Sequence, residues 1–176
     1  RTDSPVSLYA ATKKSAELMT YSYSHLYALP ATGLRFFTVY GPWGRPDMAY
    51  YSFSKAMLEG QPITVFAEGK LRRDFTYIDD IVAGIIALLD KAPEGQRVLN
   101  LGNHHPESVN TLVDLLERNL GVKASIIHKP REPSDVEETY ADIGETTRIC
   151  GYKPLISLEE GIARFTAWYK PFHQAG

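Results

Sequence analysis

An α/β protein is the fold class this sequence predicts, and three features carry that reading. Segments rich in β-branched and aromatic residues alternate along the chain with segments of helical pattern. The 176 residues suffice for one domain with a real core, or for part of a larger one. Hydrophobic residues make up 44% and charged residues 23%, the balance of a soluble globular chain rather than a disordered one.

Residues 6–28 are rich in Ala, Leu, Lys and Glu and lack internal Gly or Pro, so they predict a helix that stops before Pro30. "TGLRFFTVYG" (32–41) is aromatic and β-branched and predicts a strand, closed by Gly41-Pro42. "PWGRPD" (42–47) must be loop, and 48–60 reads as a helix ending at Gly60. Residues 63–67 and 73–78 predict short strands around a turn at Gly69. Residues 79–91 predict a helix whose first turn carries Asp79 and Asp80, where the helix dipole favours acids; both read as helix-start and surface charge. "RVLNLG" (97–102) is a buried type of strand, 111–121 an amphipathic helix with a Gly stop, and 124–129 a further strand. A polar, Pro-rich connection (129–142) leads towards the last helix, 157–169, which opens with a Ser157-to-Glu160 capping box.

The net charge of −2 gives no sign of a nucleic-acid or membrane surface. A single cysteine, Cys150, excludes an internal disulfide and a cysteine metal cluster; it reads as packing or surface at a helix end. Adjacent His104 and His105 lack the acid or Cys spacing of a metal site, so no metal is expected. No apolar run approaches the roughly 20 residues that span a bilayer. The chain shows no signal peptide and starts at Arg1 rather than Met, which suggests a piece of a longer protein. No G-x-G-x-x-G turn follows a strand anywhere.

"SLYAATKKSAEL" (7–18) places Tyr9 and Lys13 at i and i+4, on one helix face. A free phenol titrates near 10 and is a poor base at neutral pH; a nearby cation stabilises the phenolate. Lowering a phenol by about 3 units takes about 4 kcal/mol, more than one lysine at a wet surface provides. Taken alone, the pair is an ordinary helical Tyr beside a solvated Lys, because Y-x-x-x-K recurs in many helices.

The context decides otherwise. "SLYAATKKSAEL", "GLRFFTVYGPWGRPD", "RRDFTYIDDI", "VLNLG" and "KPREPSDVEETYAD" follow one another in this order. The series resembles the extended short-chain dehydrogenase/reductase family of nucleotide-sugar epimerases and dehydratases, across essentially the whole chain. It is most similar to the UDP-glucuronate 4-epimerases through "RFFTVYGPWGRPDMA".

That resemblance implies the C-terminal portion of a Rossmann-like reductase, with the N-terminal dinucleotide-binding half absent. Residues 1–47 would belong to the Rossmann-like domain. Residues 48–176 would mostly form the nucleotide-sugar-binding domain, with 79–102 returning to the Rossmann-like sheet. NAD would be the cofactor, a UDP-sugar the substrate, a homodimer the assembly and the cytoplasm the location. Tyr9 would be the acid/base and Lys13 its partner and a ribose ligand, with Lys14 solvated. A third catalytic Ser or Thr would lie upstream; Ser4 and Ser7 do not match it. Val39 would meet the nicotinamide and Thr38 the sugar. A loop Arg45 would hold a uronate carboxylate in its fork. Arg73 and Arg131 would clamp the diphosphate, Arg131 with Asp135 in "REPSD", where the family's Gly is replaced. Thr64 and Phe66 would meet the nucleotide base, and Arg72 would stay at the surface.

The implied reaction is C4 epimerisation of a UDP-uronate through a 4-keto sugar. A 4-ketone makes the uronate a β-keto acid, so UDP-glucuronate decarboxylase is a rival within the class, although its "GPR" turn is replaced here by "GPWGRPD"; another nucleotide-sugar epimerase or a dehydratase is the other alternative. Without a glycine-rich turn, NAD binding should be very weak. A non-catalytic, nucleotide-sugar-binding or dimerising fragment is therefore the reading from another class.

Overall fold

The computed structural model describes residues 2–91, 93–132 and 135–174, and nine short strands alternate there with six α-helices. Helix α1 (Leu8–Tyr27) starts where the Ser7 side chain accepts from the Ala10 amide at 3.1 Å. It stops at Ala28, whose left-handed backbone returns its amide to the Ser24 carbonyl, just before Pro30. Among its residues only Ser24 is buried, and Leu18, Met19, Tyr23 and Leu26 lie open on its outside.

The strand expected over 32–41 is divided. Strand β1 (Ala31–Phe36) runs parallel to β6 (Gln96–Leu101), whereas β2 (Thr38–Tyr40) runs parallel to β5 (Phe75–Tyr77). Phe37 is the joint: its carbonyl accepts from the Val39 amide at 2.9 Å, and the Thr38 amide turns to the Asp74 carbonyl at 3.0 Å. A local sequence pattern cannot show this, because both halves have strand composition and only their partners differ.

Helix α2 (Ala49–Leu58), strand β3 (Ile63–Phe66), helix α3 (Ile78–Lys91), helix α4 (Val109–Leu120) and strand β8 (Ile126–Lys129) fall where the pattern places them. β3 and β8 pair in parallel. Three two-residue strands make a separate ribbon: β4 (Arg72–Arg73) lies between antiparallel β7 (Glu107–Ser108) and parallel β9 (Glu138–Thr139). Of these, β7, β9 and the short helix α5 (Gly144–Cys150) carry too few residues for a periodicity and were not expected.

The last helix, α6 (Leu158–Gln174), runs past Pro171, further than 157–169 predicts. Aromatic packing holds this extra turn: Phe172 stacks on Trp168 at 4.8 Å, and the Tyr51 hydroxyl meets His173 Nε2 at 2.8 Å. The capping box is half made. The Glu160 amide donates to Ser157 Oγ at 3.2 Å, but the Glu160 carboxylate pairs with Arg164 instead.

Among the described residues two apolar cores result. The larger joins β2, β3 and β5 to α2, α4 and α6, with Tyr40, Tyr50, Phe165 and Leu116 at its centre. The smaller packs Ile81 and Leu88 of α3 against Leu99, Leu101 and Tyr152. Asp80 is not surface charge. It is buried and accepts the Leu155 and Ile156 amides at 3.0 Å each, tying α3 to the chain before α6. Asp79 is exposed as expected. Cys150 sits at the end of α5, donating to the Thr146 carbonyl at 3.3 Å. No helix among the described residues is long and apolar enough to cross a membrane.

Candidate active site

A cleft of about 1240 Å³ opens between the N-terminal half of α1, strand β1 and the loop after β2. Tyr9 and Lys13 line it, and the Lys13 ammonium lies 5.4 Å from the centre of the Tyr9 ring, within cation–π range. Tyr9 is 71% exposed, so its hydroxyl is free to meet a molecule entering the cleft. Lys14 is not simply solvated: it pairs with Glu17 at 3.3 Å. Glu17 in turn takes the Arg35 fork at 2.6 and 2.7 Å, which fastens α1 to β1, and these bonds hold the Glu17 carboxyl below its ordinary range.

A second tyrosine, Tyr40, also borders the cleft but is unsuited to proton transfer. It is 1% exposed, its hydroxyl donates to the Ser157 carbonyl at 3.3 Å, and burial pushes its phenol well above the ordinary value. One wall thus offers an open phenol beside a cation, and another a phenol locked in the core.

Val39 and Arg45 line the same cleft as Tyr9 and Lys13; Thr38, next to Val39, is not among the lining residues. Arg45 is exposed, and its Nε donates to Asp47 Oδ1 at 3.0 Å while Nη2 donates to Oδ2. This fork holds the Asp47 carboxyl below its ordinary range.

Of the remaining candidates, Arg73, Arg131 and Asp135 gather around β4, and Thr64 and Phe66 lie on β3, none of them lining this cleft. The Arg73 side chain is 19% exposed; Nη2 meets Asp135 Oδ1 at 3.1 Å, and Nη1 donates to the Val136 carbonyl at 2.9 Å. Val136 itself borders the cleft, so Arg73 stands just behind its rim. Asp135 pairs with Arg73, and Arg131 with Glu137 at 3.0 Å; residues 133–134 of the same segment lie outside the described residues. Arg72 is at the surface, donating to the Pro106 carbonyl at 2.7 Å and pairing with Glu138. Thr64 and Phe66 alternate with the buried Ile63 and Val65 and stand on the outer, half-buried face of β3.

Sequence reasoning passed over Asp74, the centre of this region. Its carboxylate is fully buried and accepts four bonds: from Thr76 Oγ1 at 2.9 Å and the Asn103 amide at 2.6 Å on Oδ1, and from the His104 and Ala141 amides at 3.0 and 2.8 Å on Oδ2. It ties the strand behind Arg73 to the end of β6 and to the chain beyond β9. An acid between Arg73 and Phe75, at the edge of an apolar strand, was the available signal. His104 serves the same junction, with Nδ1 on the Ala141 carbonyl at 2.7 Å.

Residues 1–102, which hold Tyr9, Lys13, Val39, Arg45 and Arg73, match the NAD dependent epimerase/dehydratase family. The chain belongs to that family. Among its relatives, UDP-glucuronate 4-epimerase 5 of Arabidopsis thaliana is 50% identical over 98% of this chain and 43% of its own length. A crystal structure of UDP-glucuronic acid 4-epimerase from Bacillus cereus, in complex with UDP-glucuronic acid and NAD, is 36% identical. It superposes with a TM-score of 0.89 over 96% of this chain and 54% of that one. UDP-glucose 4-epimerase from Thermotoga maritima, solved with UDP-glucose, is 29% identical with a TM-score of 0.88, over 97% of this chain and 55% of that one. The chain therefore spans about half the length of the family members it matches.

Proposed function

We propose that this chain is the C-terminal half of a UDP-uronate 4-epimerase, interconverting UDP-glucuronate and UDP-galacturonate. The observation that carries the reading is the placement of an exposed phenol, an ammonium one helical turn away and a loop guanidinium around one cleft. Its likeness to UDP-glucuronate 4-epimerases supports the choice of sugar. In this reading residues 1–47 and 79–102 belong to the cofactor domain, and the rest mostly to the sugar-nucleotide domain.

The residues present fit the nicotinamide end of NAD. Lys13 supplies a ribose-binding cation, Val39 a strand edge and Tyr9 a free phenol on one cleft wall. The chain has no glycine-rich turn to cradle the pyrophosphate, so that part of the site belongs to the N-terminal half. NAD, when bound, supplies the hydride acceptor and donor.

Tyr9 takes the proton of the sugar C4 hydroxyl and returns it to the C4 oxygen after the 4-keto ring has turned over. Lys13 stabilises the phenolate that makes this transfer possible. Arg73 and Arg131 grip the diphosphate while the sugar rotates, Thr38 contacts the sugar, and Thr64 and Phe66 meet the base. Asp135 orients Arg73 through their ion pair. Arg45 exchanges Asp47 for the uronate carboxylate and holds it out of the alignment in which a β-keto acid loses CO₂. The exposed apolar side chains of α1 fit a homodimer formed through that helix, working in the cytoplasm.

Incubating the full-length protein with NAD and UDP-glucuronate and identifying the product tests the reading. UDP-galacturonate is expected; UDP-xylose would make the protein a decarboxylase, and no conversion would remove the uronate assignment. Arg45→Lys keeps the charge but loses the fork, and it should raise KM for the uronate.

A further inference from the structure

The loop that carries Arg45 is tied to the far end of the chain. It leaves β2 at Gly41 and packs at Gly44 on the Tyr50 ring, where a side chain is excluded: a Cβ at Gly44 would stand 1.5 Å from the Tyr50 hydroxyl. The Tyr50 hydroxyl donates back to the Gly41 carbonyl at 3.3 Å. Between those two anchors stands Trp43, which itself borders the cleft. It adopts φ 61°, a left-handed conformation unfavourable for a bulky residue.

Trp43 is 75% exposed, so burial gives little to offset that conformation. What engages its ring is α6. The Trp168 ring lies 5.2 Å away, tilted, and the Phe172 ring 5.0 Å away, edge-on. Those two rings stack on each other, and the same turn is held to α2 by the Tyr51–His173 hydrogen bond. Arg45 cannot do this anchoring itself. It pairs with Asp47, two residues on in the same loop, which moves with it.

We propose that Trp43 is a positioning residue, clasped by Trp168 and Phe172, and that this clasp sets where Arg45 stands over the Tyr9 cleft. The last turn of α6 thereby takes part in selecting an acidic sugar, although it does not line the cleft. The proposal rests on Arg45 as the carboxylate-holding group.

Hydrogen exchange of loop 42–47, in the full-length protein without ligand, tests the clasp independently of any reaction. Two aromatic contacts of ordinary strength correspond to roughly a tenfold change in the loop's ordering. Trp43→Ala should therefore speed exchange in the loop about tenfold. Phe172→Ala should reproduce much of that rise, the double variant should add little to Trp43→Ala, and Trp43→Phe should restore most of the protection. Under turnover, Phe172→Ala, a change outside the cleft lining, should raise KM for UDP-glucuronate by a similar factor while inhibition by UDP is unchanged. Unchanged exchange in both alanine variants, or strictly additive effects, overturns the clasp. Coupled exchange with equal losses for UDP and UDP-glucuronate overturns its role in selection. Coupled exchange in a protein that converts no uronate upholds the clasp and overturns the functional reading instead.

Discussion

Asp74→Asn is the substitution whose cost the structure specifies best. The change is nearly isosteric, so packing is preserved and only the pattern of donors and acceptors alters. Each carboxylate oxygen of Asp74 accepts two bonds, all four donors belonging to the protein: the Thr76 hydroxyl and three main-chain amides. An asparagine has one acceptor oxygen and one NH₂ group. Turned one way it strands the His104 and Ala141 amides; turned the other it strands the Asn103 amide, while the Thr76 hydroxyl can rotate to accept from the NH₂. Hydrogen bonds to a charged group contribute about 1.5–3 kcal/mol each, and a stranded buried donor costs a similar amount. One stranded amide, with the charge lost from the remaining bonds, puts the cost at about 2–4 kcal/mol, a large part of the roughly 5–15 kcal/mol that holds a domain folded. Urea unfolding followed by circular dichroism measures it, with Thr76→Val as the graded comparison: one donor removed from a fully buried site, for about 1–3 kcal/mol. A loss under about 1 kcal/mol for Asp74→Asn would refute the view that this buried anion organises the junction behind Arg73.

Tyr9→Phe should cut turnover of the full-length protein by about 10²–10⁴-fold. Its unfolding midpoint should stay put because the ring is 71% exposed, and retained turnover would remove Tyr9 from the chemistry. Gly161→Ala sets a methyl 1.9 Å from the Tyr40 hydroxyl in the middle of the larger core; thermal unfolding should show a loss of about 1–3 kcal/mol or more. Glu17 has a lowered pKa in the fold, chiefly from its hydrogen bond to Arg35. Its contribution to stability is therefore complete above the unfolded-state value and disappears as pH falls through the folded one. Glu17→Gln should accordingly be less stable than the parent at neutral pH, with the gap closing under acid; a gap that widens in acid contradicts the assignment.

The five blocks from "SLYAATKKSAEL" to "KPREPSDVEETYAD" made the family legible in advance through their resemblance to its motifs, and local composition gave the helices and strands at those positions. The i, i+4 spacing put Tyr9 and Lys13 on one face for the same reason: one helical turn is a local distance. By itself, then, the sequence determined the alternating α/β order, the long helices and the catalytic-looking pair. Only the tertiary structure decided the rest. It broke the 32–41 strand at Phe37, because its halves answer to β6 and β5. It turned Asp80 from an apparent surface charge into a buried acceptor and made the overlooked Asp74 another, because the amides they satisfy come from residues far along the chain. It also gave Asp135 to Arg73 rather than Arg131, and seated Trp43 on α6. Each of these depends on which distant segments are brought together, and a pattern read over one helical turn or one strand carries no record of that.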